Sequence, residues 1–167
     1  MDIRFLFFML LALPQILVLP GHSGAESYSM PFSVVSPIIS GRVSSTFGMR
    51  KHPIERVWKH HQGIDFAVPS NSHVRTVASG TVVYADWYAG YGKLVTIEHG
   101  EGFVSLYGHL NEIKVSPGQK IKSGDIIGAV GSTGKSTGAH LHFEWRFNSK
   151  PLDPLRFFPY LVAEPQG

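Results

Sequence analysis

Three short segments of this 167-residue chain carry side chains that ligate metals or move protons. They are His61-Gln62-Gly63-Ile64-Asp65, His109, and His140-Leu141-His142. The last is the most telling, because Phe143, Trp145 and Phe147 continue it at strand spacing. Successive side chains of a strand point to opposite faces, so His140 and His142 share one face, roughly 7 Å apart. One imidazole can hold a metal while the other works on bound water. With His61 and Asp65 they predict a three-ligand Zn2+ site, His142 being the third ligand and the fourth position open. That is the catalytic rather than the structural zinc pattern. His140 and His109 are left beside the water, where an imidazole accepts a proton or steadies a tetrahedral intermediate. Zinc itself lowers the pKa of water and polarises a carbonyl.

Taken singly, each segment also has a plain structural reading. A lone histidine in Tyr107-Gly108-His109-Leu110 fits a packing role, and His-x-x-x-Asp by itself is a weak signal. Polar pairs such as His-Leu-His often face solvent on an alternating strand. Their joint occurrence in one chain favours chemistry. No helical His-Glu-x-x-His pattern is present, so a metalloprotease here needs a β scaffold. His60 adjoins His61, but only His61 has the three-residue separation from Asp65, which leaves His60 at the rim. His73 and His99 have no motif context and read as surface residues.

Gly131 to Thr137 superficially resembles a phosphate loop. Such a loop needs glycine five residues before Gly134-Lys135-Ser136, where this chain has Ala129, and a helix rather than a strand should follow. No nucleotide partner is expected. The glycines and small hydroxyls instead predict a tight loop that delivers His140 and His142. Trp58, Tyr84, Trp87, Tyr88 and Tyr91 could line a groove, although packing is the simpler role for most of them.

Positioning these residues falls to short apolar or β-branched runs cut by glycine. Predicted strands are Arg42–Phe47, Thr81–Trp87, Lys93–Glu98, Phe103–Leu110, Ile126–Val130 and His140–Phe147, with a further one at Ile64–Val68. No window of the region beyond residue 25 holds a helical period. The one exception is a turn at Asp153-Pro154-Leu155, with Asp153 as N-cap and Pro154 at N1. The fold class is therefore all-β, a mostly antiparallel open barrel or sandwich.

Residues 1–25 read as a signal peptide: Arg4, an apolar Phe5–Leu19 stretch, then Ser23-Gly24-Ala25 before Glu26. As a helix, that stretch would reach about 22 Å, short of the roughly 30 Å hydrocarbon core. No stable membrane insertion is expected after cleavage. The chain has no cysteine, which excludes disulfides and acylation on cysteine. Export without disulfides fits a bacterial periplasm or envelope, or secretion from a Gram-positive cell. The formal charge of +3 favours an anionic polymer such as cell wall. No Lys/Arg run or basic aromatic stripe supports nucleic acid as a partner. Residues 26–40 read as an extended lead-in.

Four motifs then combine: Phe47-Gly48-Met49-Arg50-Lys51-His52-Pro53, His61 to Ala67, Leu106-Tyr107-Gly108-His109-Leu110, and Gly131 to Glu144. In this order they make the chain similar to the LytM/lysostaphin-type zinc endopeptidases, which have a duplicated hybrid motif fold. The resemblance covers roughly residues 41–158, leaving 159–167 as a tail. It implies that His61, Asp65 and His142 bind Zn2+ in a groove, and that His109 and His140 act on the water and the transition state. It further implies a hydrolase of cross-links or stem peptides of peptidoglycan, with a D,D-endopeptidase the favoured version. Some relatives have lost the ligands and activate other wall hydrolases, so a non-cleaving regulator is the alternative. A biotin- or lipoate-type carrier barrel is a further rival, but no lysine here has that hairpin context. Substrate contact and structural support remain equal readings of Arg50 and His52. Which bond is cut, and whether an activating partner exists, stay open.

Overall fold

The computed structural model describes residues 30–51, 56–158 and 161. The expected signal peptide, His52 and Pro53, and all of the tail except Leu161 lie outside the described residues. The chain divides into two compact units, Met1–Ser33 and Val34–Gly167. Of the first, residues 30–33 are described, with bends at Pro31 and Phe32.

The described residues of the second unit form twelve strands: β1 (Arg42–Ser45), β2 (Gly48–Lys51), β3 (Trp58–His61), β4 (Ile64–Ala67), β5 (His73–Arg75), β6 (Gly80–Tyr88), β7 (Gly92–Gly100), β8 (Phe103–Ile113), β9 (Lys120–Ile121), β10 (Ile126–Val130), β11 (Leu141–Phe147) and β12 (Lys150–Leu152). Every strand pairing is antiparallel, as expected. The large sheet runs β1-β4-β11-β8-β7-β6-β9, with β12 on β11 and the β5–β10 pair attached through β8; β2 and β3 form a separate hairpin. The long β7–β8 hairpin closes through Gly100-Glu101-Gly102, each at φ between 50° and 85°. Such a turn matches the strand twist and favours glycine.

Among the described residues no helix is long and apolar enough to cross a membrane. Single 3-10 turns occur at Ala89–Tyr91 and Pro154–Arg156, and in the second Asp153 Oδ1 accepts the Leu155 amide at 3.1 Å, the predicted cap. The remaining differences from the sequence reading are short strands. β2, β3, β5, β9 and β12 span two to four residues each, too few for an alternation to register.

The core lies on one face of the large sheet. Leu141, Phe143 and Trp145 of β11 point into it, with Ile64 and Phe66 of β4 and Tyr107 of β8. Trp145 stacks on Phe103 and meets Phe158 edge-on. Truncating one such ring costs about 3–5 kcal/mol. Between the apolar rings runs a polar chain: the Val77 amide donates to the Tyr107 hydroxyl at 2.9 Å. Ser105 Oγ lies 2.9 Å from that hydroxyl and 2.7 Å from His99 Nε2. His99 also donates from Nδ1 to the Ser79 carbonyl at 2.9 Å. Burial lowers its pKa against that bond. The surface reading of His99 is thus corrected: it is half-buried and satisfies groups that the core would otherwise strand. His73 is exposed, as expected.

Candidate metal centre

The opposite face of the same sheet carries the chemistry. Leu141, Phe143 and Trp145 take the core side of β11, so His142, Glu144 and Arg146 take the other. His142 pairs in register with Asp65 of β4 on one side and Gly108 of β8 on the other. His61 ends β3, and Gly63 carries the chain from it into β4. A Cβ on Gly63 would stand 2.2 Å from the Phe143 carbonyl oxygen. Glycine is needed there for close approach to β11, which is what keeps His61 and Asp65 beside His142.

His61, Asp65 and His142 are all buried, and one donor atom from each lies within 4.8 Å of the others. His142 Nδ1 is 2.8 Å from Asp65 Oδ1, His61 Nε2 is 3.2 Å from the same oxygen, and the two nitrogens are 3.1 Å apart. Tetrahedral bonds of about 2.1 Å hold their donor atoms about 3.4 Å apart, so the cluster needs only a slight opening to take Zn2+. Two imidazole nitrogens and a carboxylate oxygen are also the donor types that zinc prefers.

Hydrogen bonds to carbonyls, which only accept, fix the ring tautomers. His61 donates from Nδ1 to the Thr46 carbonyl at 2.8 Å, leaving Nε2 for the cluster. His109 donates from Nδ1 to Thr133 at 2.7 Å, and His140 from Nδ1 to Gly138 at 2.8 Å. Both therefore keep a bare Nε2, and that of His140 lies 3.9 Å from Asp65 Oδ1. Their rings are 4.6 Å apart, and that of His109 is 5.9 Å from His142.

Electrostatics follow from burial and these contacts. Burial would raise the Asp65 carboxyl, but its contacts with His142 and His61 hold it well below the usual carboxylate range. Burial alone would depress His142, yet its bonds to Asp65 and Glu144 outweigh that and push it up to about 9. Burial pushes His109 down to about 4 against its bond to Thr133. The Arg50 guanidinium lies 3.3 Å from Asp65 Oδ2, which orients the other oxygen toward the histidines.

His109 reaches the cleft by an unusual route. Gly108 faces the metal side as the partner of His142, so a regular strand would turn His109 away. Instead His109 has φ 61°, and the pairings of β8 shift register on both sides of it. A side chain in this left-handed region costs about 1–2 kcal/mol. Thr133 offsets the strain: its Oγ1 donates to the Leu110 carbonyl at 2.8 Å while its own carbonyl holds the His109 ring. The Gly131–Thr137 loop thus supports His109 as well as delivering His140.

The cluster floors a cleft of about 420 Å3. One wall is the β2–β3 hairpin with Arg50, Lys59 and His60; the other is Gly90-Tyr91 with Lys135. His60 is exposed and meets Phe47 edge-on, a rim position as expected. Of the flagged aromatics, Tyr91 reaches this cleft, while Tyr84, Tyr88 and Tyr91 line an adjoining hollow of about 330 Å3. Trp58 and Trp87 are largely exposed. The sequence reading did not single out Glu144, Tyr91, Arg146 or Thr133 as parts of the centre. Tyr91 figures there only as a groove aromatic, and Glu144 carried a signal of its own, two residues beyond His142 on the same strand face.

Residues 59–154 match the model of Peptidase family M23. The chain belongs to that family. It is 43% identical over 121 residues to the DD-carboxypeptidase/endopeptidase Mpg of Neisseria meningitidis serogroup B, covering 72% of this chain and 28% of that relative. The chain thus spans under a third of that curated relative's length. Among solved structures, a zinc-containing peptidase from Vibrio cholerae superposes with a TM-score of 0.66 and 32% identity, over 78% of this chain and 39% of that one. The catalytic domain of lysostaphin from Staphylococcus simulans gives 0.65 and 32%, over 74% and 93%. The likeness to LytM and lysostaphin read from the motifs is thereby borne out. The M23 family, the zinc-containing neighbour and a His/Asp/His donor set able to hold a metal together support Zn2+ as the cofactor.

Proposed function

We propose that this M23 chain is a zinc-dependent endopeptidase of bacterial peptidoglycan that cuts D,D cross-links. The carrying observation is the convergence of three buried donors with two further histidines whose bare Nε2 atoms face the same open cleft. His61, Asp65 and His142 hold the metal. Zn2+, when bound, polarises the scissile carbonyl and acidifies the attacking water. His140 accepts the proton of that water at Nε2 and returns it to the departing amine. His109, kept neutral by burial, receives a hydrogen bond at Nε2 and orients the water. Their carbonyl anchors prevent either ring from turning.

The cleft walls carry Arg50, Lys59 and Lys135. Their positive charge suits stem peptides, which carry free carboxylates. The D,D preference is supported by the likeness to the Neisseria relative, a DD-carboxypeptidase/endopeptidase. Residues 1–25 serve as a cleaved signal peptide, placing residues 41–158 as the peptidase domain in the periplasm or cell envelope.

The test is to incubate the zinc-loaded protein with purified cross-linked peptidoglycan and weigh the released muropeptides. A chelated sample and His142→Ala are the controls. Conversion of dimers to monomers, only with metal, is expected, and the fragment masses identify the bond. Intact dimers after incubation with folded, zinc-loaded protein would overturn the reading.

A further inference from the structure

The cleft holds a second buried acid that the proposed reaction does not use. Glu144 is 0% exposed, although carboxylates are seldom left in a protein interior without partners. Its partners are three donors. His142 Nε2 lies 3.0 Å from Oε1, the Tyr91 hydroxyl donates to the same oxygen at 2.6 Å, and Arg146 Nε donates to Oε2 at 2.7 Å. Arg146 is fixed in turn by the Gln62 side-chain oxygen at 2.8 Å.

Here His142 differs from the other cleft histidines. His61, His109 and His140 each anchor Nδ1 on a backbone carbonyl and present Nε2. His142 presents Nδ1, so its Nε2 needs a non-backbone acceptor. We propose that Glu144 is a positioning residue for the metal centre: by taking the Nε2 proton of His142 it leaves the Nδ1 lone pair for Zn2+ and fixes the ring plane. Tyr91 and Arg146 hold the carboxylate in place for that task. The inference rests on Zn2+ being bound at this cluster, but not on which peptide bond is cut.

All three partners of Glu144 are donors, which makes its replacement by glutamine informative. An amide has one oxygen for two donor sets. Keeping the oxygen on His142 and Tyr91 turns the NH2 against Arg146; the flipped amide turns it against His142, drives the imidazole proton to Nδ1 and blocks the ligand atom. An outer partner of this kind is worth roughly 10–100-fold in metal affinity.

The experiment measures the zinc dissociation constant of the full chain, wild type and Glu144→Gln, by competition with a chromogenic chelator. Long-range 1H–15N spectra of the zinc-loaded wild type read which His142 nitrogen carries the proton. Expected are a 10–100-fold weaker constant in the variant and a protonated Nε2 in the wild type. A folded Glu144→Gln protein that binds zinc within about twofold of wild type, but melts earlier, would mean a merely structural role and overturn the proposal. So would a bare Nε2 in the wild type, which decides the matter even if the variant does not fold. A wild type that binds zinc with Nε2 protonated yet leaves peptidoglycan intact would remove the endopeptidase reading and leave this one standing.

Discussion

His61 Nε2 and His142 Nδ1 stand 3.1 Å apart with Asp65 Oδ1 within 3.2 Å of both. Nitrogens this close need either a proton or a metal ion between them, and the proton that His142 Nδ1 carries in the metal-free protein is what zinc would replace. A ligand bound only by the folded chain stabilises it by mass action, about 2.7 kcal/mol at a hundredfold excess over its Kd. Zinc should therefore raise the unfolding midpoint and a chelator reverse it. His142→Ala and Asp65→Ala should abolish the zinc-dependent part. A wild-type midpoint indifferent to zinc would refute the site.

The same contacts set a pH dependence in the metal-free protein. His142 is raised from an ordinary value near 6.5 to about 9. Its contribution to stability is full below about pH 6.5 and is lost as pH climbs toward 9. Asp65 is held low, so its contribution is full above about pH 4 and is lost on acidification. Zinc must displace the His142 Nδ1 proton, so its stabilising effect should grow over the upper window. Melts at pH 6 and 9, with and without zinc, check this. Metal-free stability that rises from pH 6 to 9 by an amount unaffected by His142→Ala would count against it.

His140 and His109 should separate binding from turnover. Neither belongs to the donor set, so His140→Ala should keep stoichiometric zinc while turnover falls about 10²–10⁴-fold. At His109 the backbone adds a second signature. His109→Gly relieves the left-handed strain that His109→Ala retains, so the glycine variant should be the more stable by about 1 kcal/mol. Equal denaturation midpoints for those two variants would show that the strain is absent in solution.

Gly63→Ala tests the spacing of the ligand strands. The added methyl meets the Phe143 carbonyl and the Glu144 Cγ, at 2.2 and 2.8 Å. Neither is a loose side-chain tip, so β4 must move away from β11. Stability should drop by about 1–3 kcal/mol and zinc affinity should fall with it. Retained affinity, measured by the same chelator competition, would mean that the two strands tolerate separation.

Much of this was legible in residue order because strand alternation is a local rule. His140 and His142 on one face, and Leu141 and Phe143 on the other, follow from spacing alone. So does the Asp153 cap, whose partner is two residues away. What stayed hidden depends on contacts remote in sequence. Nothing near His109 announces that its backbone turns left-handed, since the loop that holds it begins more than twenty residues later. Tyr91 meets Glu144 across 53 residues. His99 looked like surface because no motif surrounds it, yet the Ser105 hydroxyl of β8 holds its ring.

The register of β4 against β11 has one more consequence. His142 opposes Asp65, while its neighbour Phe143 opposes Ile64. A slip of one residue would exchange the faces, presenting a phenyl ring to the acid and sending the imidazole into oil. No such misfolded chain could load zinc. Metal uptake at this cluster would therefore work as an inspection step: a molecule that carries its ion has already been assembled with β4 and β11 in the right frame.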